Sequence, residues 1–225
     1  MTTREKKPAN AALSLLLLAA IFCCPFLSSC GGEPDRTLPK AAAPVAELTV
    51  HTFDGSYGAP FMVPNFGHSF LSVKNLSEGD LVVGRFVLPP GGEVSVGSWA
   101  TSAHTGVWYN LESVYYDIGK YDSCTTLSAG IDAAGLDALS AHIIADDRWA
   151  FFYNCTAFAL DGWNAALPEA GRITVGGMVT PNALKAELRR FAEAGRARYI
   201  QNYGEAGYFA DGALIPFTLD ERWQA

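Results

Sequence analysis

Two residues far apart in the chain have the types and settings for thiol chemistry. Cys155 lies in Tyr153-Asn154-Cys155-Thr156-Ala157-Phe158-Ala159-Leu160, where the spacing predicts a helix that begins at the cysteine and is capped by Asn154. A helix start offers unpaired N–H groups and about half a positive charge, and both favour a thiolate. A thiol in that position has a lowered pKa and is a better nucleophile. Upstream, Phe66-Gly67-His68-Ser69-Phe70-Leu71-Ser72-Val73 places His68 at the start of an alternating segment that reads as a strand. A helix-borne cysteine and a strand-borne histidine from remote segments suggest a thiol–imidazole site.

The alternatives for these residues are structural. Cys155 could pair with Cys124 in a disulfide, as in a non-catalytic envelope binding module. His51 and His142 read as surface or half-buried residues. The histidines and cysteines lack paired ligand spacing, so neither a metal nor another cofactor is expected.

The elements around the two residues form an ordered series. The expected strands cover 47–53, 68–74, 81–88 and 93–99, with Pro89-Pro90-Gly91-Gly92 as a strong breaker. An aromatic strand or strand-like segment follows over 107–112 and 113–116. The second half reads as helical. Ser128 is the expected cap of a helix carrying Ile131, Leu136, Leu139 and Ile143, and Thr180-Pro181 marks a sharp helix start. A last strand is expected over 213–219. Strands followed by helices give an α+β class, an antiparallel sheet packed against helices.

The N-terminus reads as an address. Arg4, Lys6 and Lys7 precede an apolar run over 11–22, which has the length of an export signal and is short for a membrane span. It ends in Leu27-Ser28-Ser29-Cys30, which resembles the bacterial lipobox. That resemblance implies removal of 1–29 and lipidation of Cys30, hence anchorage on a membrane of the bacterial cell envelope, the outer one where two exist. Residues 30–44 then read as a flexible tether and 45–225 as one domain. The formal net charge is −7, so the chain lacks the basic footprint of a nucleic-acid binder.

Three segments resemble papain-like cysteine hydrolases of the NlpC type: Gly67-His68-Ser69-Phe70, Gly106-Val107-Trp108-Tyr109-Asn110-Leu111-Glu112, and Asn154-Cys155-Thr156-Ala157-Phe158-Ala159 with Trp163-Asn164. The histidine precedes the cysteine, as in the circularly permuted branch, which includes bacterial lipoprotein hydrolases and, distantly, lecithin:retinol acyltransferase. The resemblance implies Cys155 as nucleophile, His68 as general base, and a third polar residue that orients the imidazole. His104, after the 93–99 strand, is the first candidate for that third role; Glu112, Asn110 and Asn75 compete. The implied activity is cleavage of an amide bond, with peptides or peptidoglycan as substrate. The alternative within the resemblance is a lipid or thioester acyl hydrolase or acyltransferase.

Overall fold

The computed structural model describes residues 34–53, 67–117, 121, 124–197 and 199–218. The expected export signal, Cys30 and the loop over 55–65 lie outside these residues.

The fold is α+β. Its strands are β1 (Ala46–Phe53), β2 (His68–Asn75), β3 (Leu81–Val83), β4 (Phe86–Leu88), β5 (Glu93–Ala100), β6 (Thr105–Tyr109), β7 (Cys124–Ile131), β8 (Gly195–Ala197), β9 (Gly207–Ala210) and β10 (Ala213–Pro216). The helices are α1 (Leu111–Asp117), α2 (Ala133–Ala145), α3 (Cys155–Ala166) and α4 (Pro181–Leu188). Eight strands form one sheet in the order β10-β9-β6-β5-β2-β1-β7-β8, with every neighbouring pair antiparallel. Strands β3 and β4 form a separate hairpin, because Gly84 at φ 62 splits the single strand expected over 81–88.

Alternate residues of a strand point to opposite faces, and along the central strands both faces are buried. Leu48, Val50, Leu71, Val73, Val96 and Leu127 pack against Leu139, Phe158, Trp163 and Leu184 of the helices. The other face carries Phe53, Phe70, Tyr116, Tyr121 and Cys124, with Trp99 and Tyr115 at its edge. His51 belongs to this second face. It is buried, stacked on Phe70 at 4.5 Å and bonded to Ser72, where the sequence suggested a surface or half-buried position. Burial pushes its imidazole down to about 3.

Three further expectations are revised. Residues 124–131 form β7 rather than a helix start, and Asp132, not Ser128, caps α2 by accepting from Gly135 N–H. Thr and β-branched residues favour the strand, and the cap follows at the next acidic residue. Residues 111–116 are helical, because Asn110 takes the left-handed conformation at φ 59 and ends β6. Finally, part of the expected tether is docked. The N–H groups of Asp35 and Arg36 donate to Arg190 O at 3.0 Å, Ala192 N–H donates to Arg36 O at 2.9 Å, and the Arg36 guanidinium lies 4.2 Å from the Phe191 ring centre.

Candidate active site

The β2 to β5 ladder runs from Lys74 opposite Glu93 to Leu71 opposite Val96 and stops there. Beyond that point β2 continues to His68 alongside β1, while β5 continues to Ala100 alongside β6. The two strands part, and the N-terminus of α3 enters where they do. Gly67, at φ 81, turns the chain into β2 immediately before His68, a backbone conformation suited to glycine.

Helix α3 starts as its residue types dictate. Asn154 is extended, and its Oδ1 accepts from Thr156 N–H at 2.9 Å and Ala157 N–H at 3.1 Å. Its Nδ2 donates to Val179 O at 3.0 Å, tying this helix start to the loop before α4. A chain of buried hydroxyls fixes the same turn to the sheet: Thr156 Oγ1 bonds Ser69 Oγ at 3.1 Å, Ser69 Oγ donates to Thr52 Oγ1 at 3.0 Å, and Thr52 Oγ1 donates to Pro181 O at 3.0 Å. Cys155 is thereby held at the open end of the ladder, in hydrogen-bond contact with His68.

The imidazole is enclosed. Trp99 lies across it at 3.9 Å between ring centres, and Tyr121 is nearly parallel to it at 6.4 Å. His68 Nε2 pairs with Glu112 Oε1 at 3.2 Å. With that nitrogen engaged, Nδ1 is the ring nitrogen left for the thiol. Glu112 is fully buried, and it also accepts from Trp99 Nε1 at 3.0 Å and Ser95 Oγ at 2.9 Å. A buried carboxyl without such donors would be strongly unfavourable. Gly97 makes room for it. A Cβ on Gly97 would overlap Glu112 Oε1 and crowd His68 Nε2.

The electrostatics follow from these contacts. Burial disfavours the charged imidazole, but the Cys155 sulfur and the Glu112 carboxylate outweigh it and push His68 up to about 9. Burial likewise works to raise the Cys155 thiol. The positive charge on His68 and its hydrogen bond, the Ser69 N–H and the Thr156 hydroxyl prevail and hold it below the usual thiol range. The arrangement favours a thiolate beside an imidazolium.

The residues singled out in the sequence divide as follows. His68 and Cys155 meet, and of the four candidates for the third position Glu112 contacts His68. His104 turns elsewhere. Its Nε2 bonds Asp147 Oδ1 at 3.0 Å, and its ring stacks on Tyr208 at 4.4 Å. It lies in the β5 to β6 turn, beyond the strand ends, where Asp147 also takes the Val107 N–H. Asn110 shapes the β6 to α1 turn, exchanging bonds with Ser95 and holding the carbonyls of Tyr203 and Glu205. Asn75 closes a turn by donating to Gly79 O and Leu88 O. Cys124 and Cys155 are not joined in a disulfide; Cys124 is buried in β7. The sequence reading missed Ser95, Gly97 and the Ser69 and Thr156 hydroxyls as parts of the site. One signal did point to Glu112: a lone carboxylate inside an apolar aromatic run must find donors once buried.

No family model matches the chain, and neither a curated protein nor a solved structure is detectably similar to it.

Proposed function

We propose that this chain is a thiol hydrolase of the bacterial cell envelope, anchored through a lipid on Cys30 and cleaving an amide bond, with peptidoglycan peptides as the natural substrate class. The domain is read as a permuted papain-like fold of the NlpC type, with the histidine strand ahead of the cysteine helix. The observation that carries the reading is the contact of Cys155 with His68 at a helix start, with Glu112 bonded to the same ring.

The chemistry uses the chain's own groups. The Cys155 thiolate attacks the amide carbonyl, forming a thioester and, transiently, an oxyanion. Asn154 occupies the N–H groups of Thr156 and Ala157, so the Cys155 N–H at this helix start is the donor suited to that oxyanion. The His68 imidazolium passes its proton to the leaving nitrogen. Water then attacks the thioester, His68 takes a proton from it, and the carboxylate product leaves. Glu112 holds the ring in place and supports its positive charge.

The test is release of muropeptides from purified peptidoglycan. Cys155→Ala is expected to abolish release while the thermal unfolding curve stays in place. Release equal to the parent protein would overturn the reading.

A second reading has its own observation. Phe151 and Phe152 sit at the tip of a turn closed by Ala150 and Tyr153, 69% and 87% exposed, just before the cysteine helix. Met178, 65% exposed, lies in the loop that Asn154 ties to this helix start. Such an apolar lip suits an acyl chain, and therefore a lipid or thioester acyl hydrolase or acyltransferase. Fatty-acyl esters offered beside muropeptides separate the two readings.

A further inference from the structure

The Glu112 carboxylate does not end the chain of hydrogen bonds that begins at the sulfur. Ser95 Oγ, fully buried, lies 2.9 Å from Glu112 Oε2, and Asn202 Nδ2 lies 2.9 Å from Ser95 Oγ. Facing a carboxylate, the Ser95 hydroxyl spends its single proton on Glu112. It must therefore accept from its other neighbour, and that fixes which end of the Asn202 amide faces it. Asn202 Oδ1 is consequently turned away, and it is buried without a hydrogen-bond partner among the described residues. A buried orphan acceptor is unfavourable and persists only when the other end of the amide is firmly committed.

The backbone around Asn202 is pinned to the same region. Tyr203 N–H donates to Glu93 O at 2.6 Å, and Asn110 Nδ2 donates to Tyr203 O at 2.7 Å. Asn110 is the left-handed residue that launches α1, and its Oδ1 accepts from Ser95 N–H at 3.2 Å. The segment around Asn202 thus meets both the strand that carries Ser95 and the turn that aims Glu112.

We infer that Asn202 and Ser95 are positioning residues that act in series through Glu112 to hold the thiolate and imidazolium pair, so that a segment close to the C-terminus sets the reactivity of Cys155. This rests on the proposed thiol chemistry, and it adds that the bonds from Asn202 to Ser95 to Glu112 to His68 are one polarised unit. With the series broken, the Glu112 carboxylate loses the bond that fixes its second oxygen and can turn off the ring, and a buried carboxyl short of a donor is easier to protonate; by both routes the imidazolium loses support and the thiol of Cys155 becomes harder to ionise.

The experiment is the pH dependence of Cys155 alkylation by iodoacetamide, followed by mass spectrometry of the peptide that carries it. Asn202→Asp keeps the shape but replaces the donor with an acceptor, which draws the Ser95 proton away from Glu112. This variant and Ser95→Ala are each expected to move the midpoint up by about half a pH unit or more. In the Ser95→Ala background, Asn202→Leu is expected to add nothing, because the link it acts through is gone. Asn202→Leu, which removes the donor without adding charge, should shift the midpoint in the same direction as Asn202→Asp. An unmoved midpoint in folded single variants, or additive shifts in the double variant, overturns the inference while leaving the hydrolase reading intact. An ordinary thiol midpoint in the parent protein overturns both.

Discussion

At the scale of single residues, the site depends on which protonation state the sulfur and the ring share. His68 is pushed up to about 9 and Cys155 is held below the usual thiol range, and both shifts favour the ion pair. The reactive form is lost on the acid side when the thiolate takes a proton, and on the alkaline side when His68 gives one up. Turnover is therefore expected to follow a bell whose alkaline limb lies near 9, measured as kcat/KM against pH. Glu112→Gln keeps the shape and removes the charge that raises His68, so the alkaline limb should move down, with a rate loss of roughly a hundredfold. An unshifted limb would leave Glu112 without a part in supporting the imidazolium. In His68→Ala, burial is left without its main opponent and the Cys155 midpoint should rise to at least about 8.5, the value of an ordinary thiol.

At the scale of elements, the site is an opening between two strands that is filled from both sides. Helix α3 supplies the sulfur on one side and α1 supplies the carboxylate on the other. Gly97 is the point where the β5 backbone must carry no side chain, because a methyl group there overlaps Glu112 Oε1. Gly97→Ala is expected to push the carboxylate off the ring and lower the rate by about a hundredfold, the scale of an ångström of misplacement. A crystal structure of this variant with Glu112 unmoved would count against that account. The helix start makes a separate contribution. Asn154→Ala removes the acceptor for two amide groups and should cost about 1 kcal/mol of stability, read by chemical denaturation.

At the scale of the whole molecule, the N-terminal segment and the site lie at opposite ends of the helices. Residues 35–38 follow the stretch after α4, and Arg36 donates to Arg172 O, beyond the C-terminus of α3. Cys155 is the first residue of α3, a helix of 12 residues that spans about 18 Å. The docked segment is expected to serve stability and not chemistry. Arg36→Ala loses its bond to Arg172 O and its cation–π contact with Phe191, and should cost about 1 kcal/mol. Calorimetry should show the Tm lower by about 2–4 °C, with the alkylation profile of Cys155 unchanged.

The sequence by itself determined what is local. Residue types and spacing set the start of α3 at Asn154, the strand that opens with His68 and the Thr180-Pro181 start of α4. Each is decided within a few residues by capping, backbone preference or side-chain period. Only the tertiary structure decided which polar group stands behind the imidazole. His104, Glu112, Asn110 and Asn75 are all plausible by type. The choice turned on where the β2 to β5 ladder ends, on the left-handed turn at Asn110, and on the space above Gly97. Those depend on segments meeting across the sheet. The same holds for the start of β7, where pairing with β1 overrode the helix suggested by Ser128. A hydrogen bond between residues 44 positions apart leaves no periodic trace in the chain, because nothing in either local stretch depends on the other until both are buried together.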